Sequence, residues 1–232
     1  MPEDPDPART PAQLFAAWRP RARSGPSSRA PEPLPALLPS SAFAVRPAAA
    51  ADLSAVAAVA AARNGNPVPE ELAVFERRLV SGPLPALPMV WVAELGEGGP
   101  TSRLPAYGTL FHMDDAVRRA MATDLGLDPD EPHDPSRPGS LVPAGWYLGG
   151  LVVDPPFRRL GLGRALTAAR LTALDAAGVL EVRYLANATN RATLALHEPF
   201  GFELEAEDPA MGGVAFTGGR GHLLVRRSRL SP

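Results

Sequence analysis

The stretch WYLGGLVV, residues 146–153, constrains the fold of this chain more than any other. It carries no charged residue, so as a strand it offers apolar side chains to both faces and must be covered on both. That places it inside a sheet with helices packed above and below, as in an α/β domain. Two adjacent glycines, Gly149 and Gly150, interrupt it. Glycine weakens a strand interior, and a pair there predicts a bulge or the close approach of another backbone or a ligand.

The flanking sequence supplies matching elements. FAVRPA (43–48) reads as a short strand, and Asp52 is placed to cap a helix carrying Leu53, Val56, Val59 and Ala60 on one face, stopped by Gly65. A second helix spans 69–80. MVWVAEL (89–95) and AYGTLFHM (106–113) read as strands of a long hairpin. Residues 114–145 read as a short helix and a polar, proline-rich loop, too long for an ordinary connection and so an insertion or a lid. Beyond the central strand come a helix over 161–177, a strand at 181–187 and a short helix at 190–198. Strands at 202–207 and 221–227 complete a mixed sheet of about seven strands flanked by about four helices. The first 42 residues hold ten of the 28 prolines and read as an extended or disordered leader, with AQLFAAW (12–18) its one helical stretch. The domain itself is expected over 43–227, followed by a tail at 228–232.

Composition narrows the chemistry. A net charge of −2 gives no overall basic footprint for nucleic acid. With no cysteine there is no disulfide framework, thiolate metal site or cysteine nucleophile. All 23 basic side chains are arginine, which excludes a Walker-type lysine loop and a Schiff-base lysine. No paired-histidine spacing suggests a metal. The longest apolar stretch is far too short for a membrane span, and the acidic, proline-broken start is no secretory signal, so a cytoplasmic location is expected.

The central strand ends at Pro155–Pro156 and runs through Arg158–Arg159–Leu160–Gly161–Leu162–Gly163–Arg164 into a helix. The first N–H groups of a helix lack backbone partners and sit at the positive end of its dipole. Glycines expose such groups to an incoming phosphate, and arginines add charge-assisted donors. Equally, the glycines could simply make the turn while the arginines are solvated. The third glycine of a dinucleotide fingerprint is absent, Leu166 standing in its place.

The run LVVDPPFRRLGLGRALTAARL resembles the acetyl-CoA signature Arg/Gln-x-x-Gly-x-Gly/Ala of the GCN5-related N-acetyltransferases, the GNAT family. NRATLALHEPFGF (190–202) is similar to that family's second signature, and VRPAAAADL (45–53) to its opening strand and helix. The resemblance covers about 43–227 and implies a GNAT-like α/β domain with a bulged central strand. It implies that the backbone of Leu151, Val152 and Val153 pairs with the pantetheine arm of acetyl-CoA, and that Arg158, Arg159, Leu160, Gly161, Leu162, Gly163 and Arg164 hold the pyrophosphate. Asn190 would bond the pantetheine or its thioester end, or cap its helix, and the two roles are compatible.

One position departs from the pattern. Where many relatives use a tyrosine to protonate the leaving thiolate, this chain has His197. An imidazolium there is a competent donor, favoured by the helix C-terminus and opposed by burial; sequence does not rank the two. No carboxylate lies on the central strand to act as base, which leaves His112 and Asp114, with Asp115, as the nearest titratable cluster; a solvated strand end and helix cap explain them as well. Glu70 and Glu71 could attract a cationic amine. The implied activity is N-acetyl transfer from acetyl-CoA to a primary amine of a small molecule by direct attack in a ternary complex. The alternatives are a non-catalytic acyl-CoA sensor, or an enzyme acting on protein N-termini or lysines. Exposed edge strands permit a homodimer.

Overall fold

Alternation along the strands decides which helix covers which face. In the computed structural model, which describes residues 43–80, 84, 87–96, 103–212, 214–216 and 218–228, seven strands form one sheet in the order β1-β2-β3-β4-β5-β7-β6. They are β1 Phe43–Pro47, β2 Val90–Leu95, β3 Arg103–Met113, β4 Gly145–Val153, β5 Glu181–Asn187, β6 Glu203–Glu207 and β7 Gly221–Arg227. All neighbours are antiparallel except β4 and β5. The expected leader and the helix at 12–18 lie outside the described residues, as do residues 229–232.

Val90 and Val92 of β2 pack with Tyr107, Val152 and the helices α1 (Leu53–Asn64) and α2 (Val68–Val80). Their neighbours Trp91 and Ala93 point the other way, against Leu162 and Leu166 of α4 (Leu162–Ala176). Helix α3 (Asp115–Asp124) covers the far half of the first face through Met121 and Ala122, which meet Met113, Tyr147 and Leu223. A short α5 (Arg191–His197) follows β5. β4 is therefore covered on both sides, as its sequence requires.

Local signals act largely where they stand. Gly65 ends α1 at φ 75°, a left-handed position that glycine fills without strain. Asp52 works one turn earlier than expected: its carboxylate accepts from the Ala49 N–H at 2.7 Å and pairs with Arg46 at 2.6 Å. Residues 125–144 are tied down rather than free. Arg118 donates to the carbonyls of Glu131 (2.7 Å) and Val142 (3.2 Å), and Leu141 bridges to Ala210.

Two irregularities in β4 shape the site. Gly108 pairs with Leu151 and Leu110 with Leu148, so two steps on β3 face three on β4, a bulge at Gly149–Gly150. Leu148 and Leu151 consequently both face α4, which unbroken alternation forbids. On its other edge β4 pairs with β5 only at Trp146–Val182 and Tyr147–Arg183, although both strands continue.

Candidate active site

Where the β4–β5 ladder stops, a cavity of about 390 Å³ opens. Tyr147 to Leu151 of β4 form one side and Tyr184 to Asn187 of β5 the other. Asn190, Thr193 and His197 of α5, Arg63 and Arg78 of α1 and α2, and the segment around Met211–Phe216 complete it. The two bulge glycines serve different ends. A Cβ on Gly149 would fall 2.2 Å from Thr109 Oγ1, so this glycine lets β3 and β4 close up. A Cβ on Gly150 would meet nothing within 4 Å, and this residue borders the open space.

Past the end of β4 the chain reaches α4 through two left-handed residues, Arg159 (φ 68°) and Gly161 (φ 90°). Gly161 stands at the N-cap position, and no side chain caps the helix. The helices that follow β3 and β5 are capped: Asp114 accepts from Val117 N–H at 2.7 Å, and Asn190 from Thr193 N–H at 3.2 Å. Arg158, Arg159 and Arg164 are exposed and form no ion pair among the described residues. Arg158 Nε donates to the Val153 carbonyl at 3.1 Å, fastening the turn to the strand. Gly163 lies inside the first turn, where its missing side chain leaves room beside Leu151 and Leu196. The α4 entrance thus combines uncapped N–H groups, a helix dipole and three guanidinium groups outside any ion pair among the described residues, which suits an anion such as a phosphate ester.

His197 is 3 % exposed, stacked on Tyr184 at 4.2 Å and edge-on to Phe202 at 5.5 Å. Its Nδ1 lies 2.9 Å from the Thr193 carbonyl, which can only accept, so Nδ1 carries the hydrogen and Nε2 the lone pair. Nε2 is buried without a hydrogen-bond partner. Burial, aided by the charge of Arg170, lowers the imidazole pKa to about 4 against the pull of the Thr193 bond. The two opposing influences on His197, left unranked by the sequence, are thereby ranked. Desolvation outweighs the helix C-terminus, and at neutral pH the ring holds no proton on the nitrogen left without a partner.

The other expected residues divide. Leu151 and Asn190 border the cavity; Val152 packs into the α1–α2 core, and Val153 against the α4 cluster. His112 and Asp114 do not reach it: His112 rests against Trp146 at 4.9 Å, and Asp114 is the exposed cap of α3. Residues 114–145 contribute nothing to its lining. Glu71 is buried and committed to the side-chain amides of Asn64 (2.8 Å) and Asn66 (2.9 Å), which leaves Arg63 and Arg78 as the charged groups on the cavity wall.

Sequence reasoning missed Tyr184, whose buried hydroxyl has no partner and borders the cavity. Burial raises its pKa, so the hydroxyl stays protonated. The signal was present in EVRYLAN as the one hydroxyl-bearing side chain on a buried strand. Among the described residues no cluster of histidine and carboxylate groups is placed to hold a metal, and no helix is long and apolar enough to cross a membrane.

Comparison with known proteins converges on the same segment. Residues 108–202, from β3 through the bulge, the α4 entrance and α5, match the model of the acetyltransferase (GNAT) family. A mycothiol acetyltransferase from Kocuria rhizophila is 49% identical over 51 residues, which is 22% of this chain and 17% of that protein, so the match spans under a fifth of that relative's length. The fold is similar to the NatC complex bound to Gag peptide and CoA (TM-score 0.56, 15% identity, covering 81% of this chain and 99% of that one). It is also similar to a Salmonella typhimurium structure with its cofactor acetyl-CoA (0.54, 16%, 82% and 98%). A third likeness is to the ribosomal-protein-S18-alanine N-acetyltransferase of Escherichia coli (0.53, 17%, 82% and 96%). At such identities these structures speak to the fold, and with the bulged, half-unzipped β4 they lead to one statement: residues 108–202 match the acetyltransferase (GNAT) family, on a fold similar to that of known acetyltransferases.

Proposed function

We propose that the protein is an acetyl-CoA-dependent N-acetyltransferase that acts on the primary amine of a small molecule. The observation that carries this reading is the gap between β4 and β5, which runs alongside β4 toward an uncapped, arginine-flanked helix. An elongated ligand with a diphosphate at one end and an extended amide-bearing arm fits such a track. The orphaned hydroxyl of Tyr184 and the open side of Gly150 fit its reactive end.

Acetyl-CoA would supply an acyl carbon already activated toward an amine. The chain's own groups then take these roles. The first-turn N–H groups of Leu162, Gly163 and Arg164, with the side chains of Arg158, Arg159 and Arg164, bind the diphosphate, and Leu160 and Gly161 shape the turn. The β4 backbone over Leu151–Val153 orients the arm as an added strand would. Asn190 spends its carbonyl oxygen on the α5 cap and keeps its amide hydrogens for the ligand. Tyr184 donates a hydrogen bond to the departing sulfur. A thiol has a pKa of about 8.5, well below that of a buried tyrosine, so the hydroxyl stabilises the thiolate and solvent completes its protonation. His197 presents an acceptor at Nε2 and holds Tyr184 by stacking.

Calorimetric titration with CoA, followed by CoA release from acetyl-CoA over an amine panel, tests the reading. Binding should add about 2.7 kcal/mol of stability at a hundredfold excess over Kd. Tyr184→Phe should lower kcat about tenfold or more with CoA affinity retained. Absence of CoA binding sinks the proposal. Binding without turnover across a broad panel favours an acyl-CoA sensor instead.

A further inference from the structure

The cavity wall beside the bulge carries two guanidinium groups, those of Arg63 and Arg78. Arg63 comes from the end of α1, and its Nη1 donates to the Leu151 carbonyl at 3.3 Å, one residue past the bulge. Arg78 comes from α2 and reaches Thr109 Oγ1 at 3.4 Å, the atom that a Cβ on Gly149 would strike. The two guanidinium groups thus flank the bulge, and both border the cavity. Neither makes an ion pair among the described residues.

Behind the sheet lies a third guanidinium, whose charge reaches His197 on the cavity wall. Arg170 of α4 is fully buried and donates to the Thr109 carbonyl (2.9 Å), the Leu166 carbonyl (3.2 Å) and Thr167 Oγ1 (3.3 Å), with no carboxylate among these partners. The one buried carboxylate nearby, Glu71, is engaged by two asparagine amides. The charge of Glu71 still favours the Arg78 guanidinium, and that of Arg77 opposes it, while burial remains the dominant influence. Burial lowers the pKa of Arg78 and, to about 9, that of Arg170, so both sites would gain from an anionic partner.

We infer that the acceptor is an amine that also bears a carboxylate, the carboxylate being held by Arg63 and Arg78 beside the bulge. This rests on the acetyltransferase reading above and names its substrate class. A guanidinium presents paired N–H donors that match the two oxygens of a carboxylate, and among the described residues each of these arginines bonds a single neutral oxygen. The same charges bear on the missing base. Nearby positive charge disfavours the ammonium form, so the nucleophilic free amine is promoted without a carboxylate to take its proton. A polyamine or an unmodified lysine side chain would instead meet repulsion.

The test uses the full chain saturated with CoA, so that failure to bind CoA is seen first and counts against the acetyltransferase reading alone. Amino acids and their primary amides are then titrated in matched pairs, together with the corresponding decarboxylated amines. The inference expects at least one acid to bind about tenfold or more tightly than its amide. Arg63→Gln, at an exposed position, should shrink that preference toward unity, and Arg63→Glu should turn it toward the amide. An acid-to-amide ratio near one throughout, or tighter binding of the decarboxylated amines, overturns it while leaving the acetyltransferase reading standing.

Discussion

The two edges of β4 are built on opposite terms. Toward β3 it is paired from Gly145 to Val153, and where the bulge disturbs the ladder Gly149 removes a side chain so that the strands can still close. Toward β5 the ladder ends after two residue pairs, and Gly150 leaves the space unfilled. Adjacent glycines thus do opposite work, one allowing contact and the other preserving a void. A binding site in this fold is made by ending a hydrogen-bond ladder early on one side of a strand while securing the other.

Substitutions at the two glycines separate those roles. Gly150→Phe should fill the gap and weaken CoA binding by about a thousandfold, roughly 4 kcal/mol, with the unfolding midpoint little changed. Calorimetric titration and denaturant unfolding on one preparation read both quantities, and a lost midpoint with intact binding would break the contrast. The open edge also bears the cost of burying His197. Its folded pKa of about 4 lies below that of an unfolded chain, so protonation favours unfolding. Stability should be whole above pH 6.5 and decline as pH falls toward 4, by up to about 3 kcal/mol. His197→Phe should flatten the stability profile in that window; an unchanged slope would show that the ring is not held neutral. The smallest effect is expected on the closed edge, where Gly149→Ala pushes a methyl group against Thr109 and should cost about 2 kcal/mol in denaturant unfolding. Equal losses of stability at both glycines would erase the distinction.

Much of this was readable from local sequence. Apolar residues through 146–153 required a covered strand, the glycine pair marked its bulge, and the arginine–glycine junction marked the helix entrance, because each depends on residues close together in the chain. What escaped depends on packing. Whether His197 is charged turned on a contest between dipole and burial that only its neighbours Tyr184 and Phe202 decide. Arg63 and Arg78 are distant in sequence from the bulge they flank, and nothing local separates them from the other arginines. Residues 114–145 read as an insertion or a lid by length alone, and no sign in the sequence pointed to their contacts with Asp208–Met211. In β6 a register shift between Leu204 and Ala206 accompanies a half-exposed Leu204, and Glu205 reaches Arg183 at 2.6 Å, a pairing of residues 22 apart that no local pattern marks.

Thr109 receives a guanidinium from each layer of the molecule, Arg78 at its hydroxyl and Arg170 at its carbonyl. A single residue in the plane of the sheet is therefore riveted to α2 above and α4 below. The helix that lends Arg78 to the cavity and the helix whose entrance carries the exposed arginines are thereby joined through one residue of β3.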